Sequence, residues 1–559
     1  MLHFSRRPKD HSSSELGGSE LRLRTNPAAT VQLCLPLILA PPKYVASFGR
    51  CVRAHAIGVW LVTTMSACQS DLATSNPGLS AQPPQPAPPA PAPPPSFSGT
   101  LPAFPGAEGY GALALNECRT RPVRVWKVTN LNDSGEGSYR DAIENKTSSL
   151  HFDVIVFETG GTIVLNGRVR RDRTACVYVA GQTAPGGGIQ LTSPGWSTPK
   201  VPLALSEAQD WVVRYLRFRQ NASDGSSAQY QNISILSSQR IVLDHISTCC
   251  SDDKEIAIDQ APELGRPVFD LITISNSIVY APTEASTGIN IHGDPFEDIA
   301  GSVSVIRNYM GGNKWRWPRL ESLSNGQVVN NVIYGWTSDG IRVGTDAAPG
   351  PRLNLEWINN YYKKYDPGKI EQFGAIEYSD NLSEGKQGLP NFHAVGNVHS
   401  AIAPSPSDDQ TLWRWRQDKK GLVPDSAFKS SSTLSPRPVF DAVPRWGALE
   451  LMQRLLPDVG ASHRVTCDGT WVNARDALDA TFVAEVKNST WIGGDGAAPY
   501  GGLPNLLSGA PCEDADGDGM PDEYELRWGL DPNSWDSGAD LDGDGYLNIE
   551  EYLNGSRPN

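Results

Sequence analysis

Residues 327–336 have the sequence QVVNNVIYGW, a short run of β-branched and aromatic residues with two asparagines at its middle. This composition favours a β-strand. Similar runs recur along the chain as WVVRYLRFR (211–219), RIVLDHIST (240–248), DLITISNSIVY (270–280), SVSVIRNYM (302–310), LEWINNYYKK (355–364) and FHAVGNVHS (392–400). The polar residues that we take as equivalent are His245, Asn276, Asn308, Asn331, Asn360 and Asn397, with spacings of 31, 32, 23, 29 and 37 residues.

A quasi-repeat of this length is typical of a solenoid, in which each turn covers the apolar face of its neighbour. Asparagines in register along such a stack can hydrogen-bond to one another as an amide ladder. A β-sandwich would need hairpin turns of about two to five residues, and the connections here are mostly longer. The runs therefore predict an all-β protein with a parallel β-helix.

Residues 313–319, which precede the QVVNNVIYGW run, have the sequence NKWRWPR. Proline fixes its own φ and pushes the preceding chain towards extended geometry. We therefore expect Arg316 to leave an extended backbone at a constrained place beside Pro318. An arginine held in this way can grip a carboxylate through two parallel hydrogen bonds.

The chain has 559 residues, 39% of them hydrophobic, with 53 glycines and 44 prolines, which indicates many turns and few long helices. The net charge is -14, and -12 of it falls between Glu513 and the C-terminus. The rest of the chain is therefore nearly neutral, which argues against nucleic-acid binding. The glycines at 186–188 lack the spacing of a dinucleotide-binding motif.

The N-terminal part has the features of an export signal. Residues 57–64 are apolar, follow Arg50 and Arg53, and lead into Met65-Ser66-Ala67-Cys68. The ending resembles a bacterial lipoprotein box with Cys68 as the lipidated residue; the alternative is an ordinary cleaved signal peptide. Residues 1–68 are thus predicted to be an extension and signal, and residues 69–101 a proline-rich linker.

Export would permit disulfides, because exported proteins fold in oxidising compartments. Six cysteines follow Cys68, and six cysteines can pair in fifteen ways. The sequence leaves their pairing open, and it leaves Cys249-Cys250 as either bridge partners or a buried thiol pair. The six are Cys118, Cys176, Cys249, Cys250, Cys467 and Cys512.

Several motifs together carry a family resemblance: FPGAEGYGA (104–112), VTNLNDSGEGSYRDAI (128–143), FETGGTI (157–163), AGQTAPGGGI (180–189), RYLRFR (214–219), LDHIST (243–248), WRWPR (315–319) and VNNVIYGW (329–336). In number, order and spacing they resemble bacterial pectate lyases of polysaccharide lyase family 1, over residues 102–510. The resemblance implies a right-handed parallel β-helix that cleaves polygalacturonate by β-elimination, with calcium as cofactor. A polyuronate would be its partner, a monomer its working form, and the bacterial surface or medium its location.

In the family, the base is an arginine in an Arg-x-Pro-x-x-Arg element, which maps by resemblance onto Arg316 and Pro318. The second arginine of that element falls at Glu321, so we expect Arg319 to take its substrate-binding role. A substrate-binding lysine expected from the family falls near Gly288 and is absent. His292 is the proposed replacement.

The family also places calcium ligands after the LDHIST strand, where this chain has an acidic run. Residues two or four apart on a strand share a face, so Asp253 would join Glu255, or Glu255 would join Asp259. Asp252 belongs to the same run. The earlier ligand position falls near Gln231, with Asp224 as an alternative. A solvated acidic surface is the competing interpretation.

Residues 511–559 contain two matches to the EF-hand calcium loop, whose ligand positions follow a fixed spacing. The flanking helices are predicted to be short, so the segment resembles the compact calcium repeats of exported bacterial proteins more than a classical calcium sensor. A disordered acidic tail is disfavoured by Trp528, Leu530 and Tyr552. The predicted ligands of this structural calcium module are Asp514, Asp516, Asp518, Asp522 and Glu525 in the first loop, and Asp540, Asp542, Asp544, Asn548 and Glu551 in the second.

The sequence therefore predicts a calcium-dependent pectate lyase, with two alternatives left open. One is a lyase that acts on methyl-esterified pectin or on another uronate polymer, since the changes at Gln231 and Gly288 depart from the family pattern. The other is a non-catalytic β-helix that binds polysaccharide, for which Glu321 is the argument and against which Arg316 and Pro318 stand.

Overall fold

The structure is a computed structural model, and it describes residues 99–194, 201–220, 231–251, 253–261, 265, 267–282, 287–293, 301–312, 316–321, 324–336, 341–345, 354–364, 376–380, 391–407, 412–415, 434–441, 445–492 and 500–559. The predicted signal, Cys68 and nearly all of the linker lie outside these residues. The described residues all belong to one compact unit, Pro86–Asn559. Within them, no helix is both long enough and apolar enough to cross a membrane.

The strands are, in chain order, β1 Val123–Val128, β2 Phe152–Phe157, β3 Gly161–Val164, β4 Arg170–Asp172, β5 Ala175–Ala180, β6 Ile189–Thr192, β7 Leu203–Ser206, β8 Gln209–Arg214, β9 Arg217–Arg219, β10 Ile233–Leu236, β11 Gln239–Asp244, β12 Ser247–Cys249, β13 Lys254–Asp259, β14 Asp270–Ser275, β15 Ile278–Ala281, β16 Thr287–His292, β17 Ser302–Ile306, β18 Tyr309–Gly312, β19 Arg319–Glu321, β20 Asn325–Val329, β21 Val332–Tyr334, β22 Ile341–Thr345, β23 Asn354–Ile358, β24 Tyr361–Lys363, β25 Ile376–Asp380, β26 Asn391–Val395, β27 Val398–His399, β28 Trp413–Trp415, β29 His463–Val465 and β30 Trp471–Asn473.

Helices are few and short. The α-helices are α1 Tyr139–Asp141, α2 Leu451–Arg454, α3 Ala477–Asn488, α4 Asp522–Trp528 and α5 Asn548–Asn554. Single helical turns lie at Tyr110–Leu113, Ala142–Lys146, Gly181–Thr183 and Ala448–Glu450.

Three parallel sheets run the length of the molecule. Sheet A contains ten strands, in the order β1, β2, β5, β8, β11, β14, β17, β20, β23 and β26. Sheet B contains nine strands from β3 to β27, and sheet C contains nine strands from β4 to β28. Successive turns of the chain add one strand to each sheet in the same order. The parallel β-helix predicted from the sequence is therefore confirmed.

Alternation along each strand sends aliphatic side chains into the space between the sheets. In sheet C, for example, Ile256 lies in register with Ile289, and Ile258 with Ile291. All four side chains are fully buried in one continuous apolar core that runs along the inside of the helix. In the sequence GINI at 288–291, every second residue is thus an isoleucine whose side chain lies in the core.

An asparagine ladder follows the turn between sheets A and B. The Oδ1 atom of Asn331 accepts from the backbone N of Asn308 at 2.8 Å, and Asn331 in turn donates through N and Nδ2 to Asn360 Oδ1 at 2.9 Å each. Asn360 makes the same pair of bonds to Asn397. The predicted ladder is confirmed for these four residues, all of which are fully buried.

The predicted equivalence is wrong by one residue in the first two turns. His245 and Asn276 have φ values of 49° and 48° and correspond to the left-handed turn residues Arg307, Asn330 and Asn359. Ser277 occupies the ladder position instead, since its backbone N donates to Asn308 Oδ1 at 2.9 Å. Asn276 and Ser277 are adjacent polar residues, so the sequence alone left the register of this turn ambiguous.

The outer face of sheet B is covered by apolar contacts with the C-terminal helices. Tyr280, Tyr309 and Tyr334 belong to a buried cluster that also contains Phe482 and Val486 of α3. The stacked rings of Tyr280 and Phe482 have centroids 3.9 Å apart. This face of the β-helix is therefore closed.

The acidic tail covers part of the outer face of sheet A. Met520, Tyr524, Leu547, Ile549 and Tyr552 share a buried cluster with outward residues of β2, β5, β8 and β11, which are Val154, Tyr178, Val212 and Val242. The tail therefore packs directly on the β-helix, and the division at residue 510 stays a prediction.

A buried ion pair also stabilises the packing of the tail on the rest of the chain. Arg119 donates from Nε and Nη2 to the two carboxylate oxygens of Glu550 at 2.7 and 2.8 Å, and Glu550 is fully buried. Lys127 of β1 lies 2.7 Å from Asp514 at the start of the first acidic loop. Glu550 and Asp514 of the tail are thus paired with cations of the N-terminal segment and of β1.

The six cysteines form three disulfides in the structure: Cys118–Cys176, Cys249–Cys250 and Cys467–Cys512. The first ties the N-terminal segment to β5, and the third ties the β29–β30 hairpin to the segment that leads into the tail. The second joins neighbours in sequence at the end of β12.

The ladder predicts a large effect of Asn331→Ala. The change leaves the backbone and side-chain N–H groups of Asn308 without their buried acceptor, so we expect the free energy of unfolding to fall by about 2–4 kcal/mol. Chemical denaturation measures it. Asn145→Ala is the control, because Asn145 is exposed and bonds only to Asp141 across one helical turn. Equal stability of the two variants would contradict a stabilising ladder.

Candidate functional site

The outer face of sheet C carries most of the residues that the sequence singled out. Because the isoleucines of β13 and β16 point inward, the residues between them point outward. Register places Asp259 beside His292, and His292 beside Glu321. It places Asn290 beside Arg319 in the same way. Charged and amide side chains of three neighbouring strands are thus brought together on one surface, which we call the sheet C cleft.

Arg316 lies at the edge of this cleft, just before β19. Its Nη1 atom donates to Thr287 Oγ1 at 3.2 Å and lies 4.0 Å from Asp253 Oδ1. Thr287 in turn donates from N and Oγ1 to the backbone oxygen of Asp253, at 2.7 and 2.8 Å. The structure therefore joins the predicted base to the predicted acidic run through the start of β16.

The backbone of Arg316 is not extended, contrary to the expectation from the sequence. Its φ is 74°, in the left-handed region that side chains other than glycine seldom adopt. Pro318 acts on Trp317, which immediately precedes it and is joined to it by a cis peptide bond. The restriction that proline imposes thus reaches one residue, and Arg316 lies beyond it.

The packing around Gly288 explains why the lysine expected from the family is absent. A Cβ atom at this position would lie 2.4 Å from the backbone oxygen of Arg316 and 2.4 Å from Cε3 of Trp317. That oxygen also accepts from Ile289 N at 2.8 Å, so the 316–317 segment is bonded directly onto β16. The close approach leaves no room for any side chain at residue 288.

Arg319 and Glu321 form an ion pair on β19, two residues apart on the same face. Arg319 also donates to Asn290 Oδ1 at 3.4 Å. Glu321 is almost fully buried, and His292 approaches it with Nε2 at 4.0 Å from Oε2. Glu321 stands where the family has its second arginine. It therefore pairs with Arg319, the arginine that we expected to take over the substrate-binding role.

The acids of the 253–259 run share the outward face, as predicted, but have separate partners. Asp253 accepts from Lys254 at 2.5 Å. Glu255 is fully buried and accepts from Asn232 Nδ2 at 2.6 Å and from Ser251 Oγ at 3.0 Å. Burial raises the pKa of Asp259, whose Oδ1 accepts from Asn290 at 3.3 Å.

A calcium site at these acids stays a prediction. Among the described residues, the groups of three or more metal-ligating side chains with converging atoms lie elsewhere: one at the Cys118–Cys176 disulfide and the others in the acidic tail. Asp224 and Asp252 lie outside the described residues. Gln231 lies inside them, and its backbone oxygen accepts from Gln220 Nε2 at 2.8 Å.

The two tail loops have nearly identical backbone hydrogen bonds. Asp514 accepts from the N atoms of Gly517 and Gly519 at 2.8 and 2.9 Å. Asp540 accepts from those of Gly543 and Gly545 at 2.8 and 3.0 Å. At loop position 9, Asp522 accepts from Ala515 N, and Asn548 accepts from Leu541 N. Both loops thus have the geometry that their sequence pattern predicts, and α4 and α5 begin at position 9.

The last position of each loop holds a buried glutamate. Both carboxylate oxygens of Glu525 are buried and have no hydrogen-bond partner, and the same is true of Glu551 Oε2. Burial first, and then the neighbouring acids, raises the pKa of each glutamate to about 9. Carboxylates in this setting fit a hard divalent cation such as calcium.

The sequence analysis missed Asp536. Its carboxylate converges with those of Asp518 and Glu525 to within 4.8 Å, although it belongs to neither loop pattern. The only signal in the sequence is an extra acid four residues before the second loop. That position has no place in the EF-hand spacing.

The packing at residue 288 predicts that Gly288→Ala is destabilising. The added methyl group meets the Arg316 backbone and the buried Trp317, so we expect a loss of about 1–3 kcal/mol in the free energy of unfolding. Gly167→Ala is the control, since the nearest atom to its Cβ would be Arg140 Nη2 at 3.9 Å. Thermal and chemical denaturation of both variants measure the difference. A Gly288 variant as stable as the control would show that the 316–317 segment does not rest on β16.

No protein-family model matches the chain. Among curated proteins it is 30% identical over 480 residues to the probable pectate lyase C of Aspergillus flavus, which covers 83% of this chain and 96% of that protein. The probable pectate lyase C of Neosartorya fischeri is 32% identical over 466 residues, covering 82% and 94%. Because these relatives are fungal, a bacterial origin remains a prediction.

Among solved structures, the cedar pollen allergen jun a 1 covers 63% of this chain and 92% of its own, with 14% identity and a TM-score of 0.44. The family follows from the curated relatives, since their similarity extends over more than four fifths of the chain. The chain belongs to the pectate lyase family.

Proposed function

We propose that the chain is an exported pectate lyase that cleaves polygalacturonate by β-elimination, with Arg316 as the base. The observation that carries the proposal is the position of Arg316. Its guanidinium lies beside Thr287 and Asp253 at the cleft of a parallel β-helix. The curated relatives named as probable pectate lyases supply the substrate class.

Elimination from a uronate removes a weakly acidic proton from the carbon beside the carboxylate. Arginine has a reference pKa of about 12.5 or above, so its neutral, basic form is scarce at neutral pH. A rate that increases in alkali is therefore expected of this base. The left-handed backbone of Arg316 and its bond to Thr287 hold the guanidinium in one place, which favours proton transfer in a fixed geometry.

Calcium at the acids of the 253–259 run stays a prediction, and we assign no step of the elimination to a cleft ion. We also propose calcium for the two tail loops, where buried carboxylate oxygens have no hydrogen-bond partner. Calcium in these loops would order the tail on sheet A. Export through the segment that ends at Cys68, with or without lipidation, would expose the loops to extracellular calcium.

A second candidate is a lyase that prefers methyl-esterified pectin. Arg319 is bound by Glu321, and Gly288 has no side chain, so two groups that grip uronate carboxylates in the family are missing or occupied. An esterified substrate needs fewer such cations. This observation supports the same elimination reaction on a polymer with fewer charged carboxylates.

The proposal predicts that Arg316→Ala and Arg316→Lys abolish elimination. Ultraviolet absorbance of the unsaturated uronate product is followed on polygalacturonate and on methylated pectin, in alkaline buffer, with calcium and with chelator. Loss of one general base is expected to lower the rate by about 10²–10⁴-fold. The control is Arg173→Ala, an arginine whose side chain is 76% exposed and pairs with Glu207.

Each outcome has a definite meaning. Wild-type activity that disappears in both Arg316 variants but not in the control supports Arg316 as the base. Retained activity in Arg316→Ala would move the base elsewhere. No absorbance change by the wild type on any uronate polymer would make the non-catalytic polysaccharide-binding β-helix the better account.

The Arg319–Glu321 pair predicts a shift of preference in Glu321→Gln. The change keeps the shape of the side chain, removes its charge and leaves Arg319 able to bind a substrate carboxylate. We expect the kcat/KM ratio of polygalacturonate to methylated pectin to rise about tenfold, the value of one charged hydrogen bond. Adding Arg319→Ala to Glu321→Gln should cancel the gain. An unchanged ratio would exclude the pair as a determinant of substrate charge.

A further inference from the structure

We propose that Asp536 is a ligand of the first tail loop and couples it to the second, so that the two calcium ions bind cooperatively. This inference rests on the calcium loops proposed above. It adds a ligand that the loop spacing does not contain, and it makes the two sites one unit.

The first step is the set of oxygens around loop one. Asp514, Asp516 and Asp518 converge at the start of the loop, and Asp518, Glu525 and Asp536 converge at its end, each set to within 4.8 Å. Calcium takes six to eight oxygen ligands, and the carboxylate of Asp536, from outside the loop, helps to reach that number.

The second step is the state of Glu525. The residue is fully buried, yet neither of its carboxylate oxygens has a hydrogen-bond partner. Asp516 Oδ2 is also buried without a partner. Buried, unpaired carboxylates are costly, whereas an ion held between Glu525, Asp518 and Asp536 would give Glu525 a partner.

The third step is how Asp536 is held against loop one. Asp518 Oδ2 accepts from the backbone N atoms of Asp536 and Ser537 at 3.1 and 2.8 Å. The segment that follows α4 is therefore folded back onto the loop. These bonds place the Asp536 carboxylate beside Glu525 although eleven residues separate them in the sequence.

The fourth step connects the same segment to loop two. Asn548, at position 9 of that loop, donates from Nδ2 to the backbone oxygen of Asp536 at 3.1 Å. The backbone N of Asn548 donates to Ala539 O at 2.7 Å, and that of Ile549 donates to Ser537 O at 3.2 Å. Residues 536–539 thus lie between the acids of loop one and the start of α5.

Coupling follows from this shared segment. An ion in loop two orders Asn548 and the start of α5, which fixes residues 536–539 and places Asp536 for loop one. Residues 536–539 are then already ordered when the second ion binds. The second ion does not bear that entropic cost, so binding is positively cooperative. By reciprocity, an ion in loop one strengthens loop two to the same extent.

The test is a calcium titration of the full chain by isothermal calorimetry, after removal of metal by chelator. The variants are Asp536→Asn, the loop-two variant Glu551→Gln and the two combined. The control is Asp531→Asn, which makes the same charge change in the same segment at an exposed residue that bonds only within its own turn. Glu525→Gln identifies which isotherm step belongs to loop one.

We expect the wild type and Asp531→Asn to bind two tail ions with positive cooperativity. Asp536→Asn should weaken loop one by roughly tenfold or more and remove the cooperativity. Glu551→Gln should weaken loop one in the wild-type background but not in the Asp536→Asn background. This last comparison isolates the coupling from the loss of a ligand.

Three results would overturn the inference. Tail ions that bind independently in the wild type would exclude coupling, while leaving both calcium loops in place. A titration of Asp536→Asn that matches Asp531→Asn would exclude Asp536 as a ligand. If the wild type binds no calcium that Glu525→Gln and Glu551→Gln remove, the calcium loops themselves are wrong. Should Asp536→Asn not fold, the effect of Glu551→Gln on loop one still decides whether the sites are coupled.

Discussion

The parallel register of the strands is the constraint on which the rest of this structure depends. Each strand of a turn bonds to the same strand of the next turn, so an outward residue in one turn lies beside an outward residue of its neighbours. Inside, this register stacks Ile256 on Ile289 and Ile258 on Ile291. Outside, it stacks Asp259, His292 and Glu321. The core and the cleft are two consequences of one pairing.

The three outer faces then acquire different roles. Sheets A and B are covered by apolar clusters, from the acidic tail on one side and from α3 on the other. Sheet C carries charged and amide side chains in the described part of the cleft. Polysaccharide chemistry is therefore expected on sheet C, where side chains from several turns line up along a polymer.

The chain also departs from its family within the cleft, and the departures are connected. Gly288 is small because the 316–317 segment rests on it, and that contact positions Arg316. Glu321 pairs with Arg319 at the position where the family has a second arginine. The structure thus keeps the proposed base while reducing the positive charge available to substrate carboxylates.

The sequence by itself predicted the β-helix from strand composition and repeat spacing, and it predicted the two tail loops from the fixed positions of their acids. Its resemblance to the family singled out Arg316 and Pro318. Only the tertiary structure decided which of two adjacent polar residues joins the ladder, that Glu255 is occupied by Asn232 and Ser251, and that Asp536 reaches Glu525. It also decided that the tail is part of the β-helix rather than an appendage, through Arg119 and Glu550. The physical reason is the same in each case, because these outcomes depend on contacts between residues far apart in the chain, and no local pattern contains the distance between them.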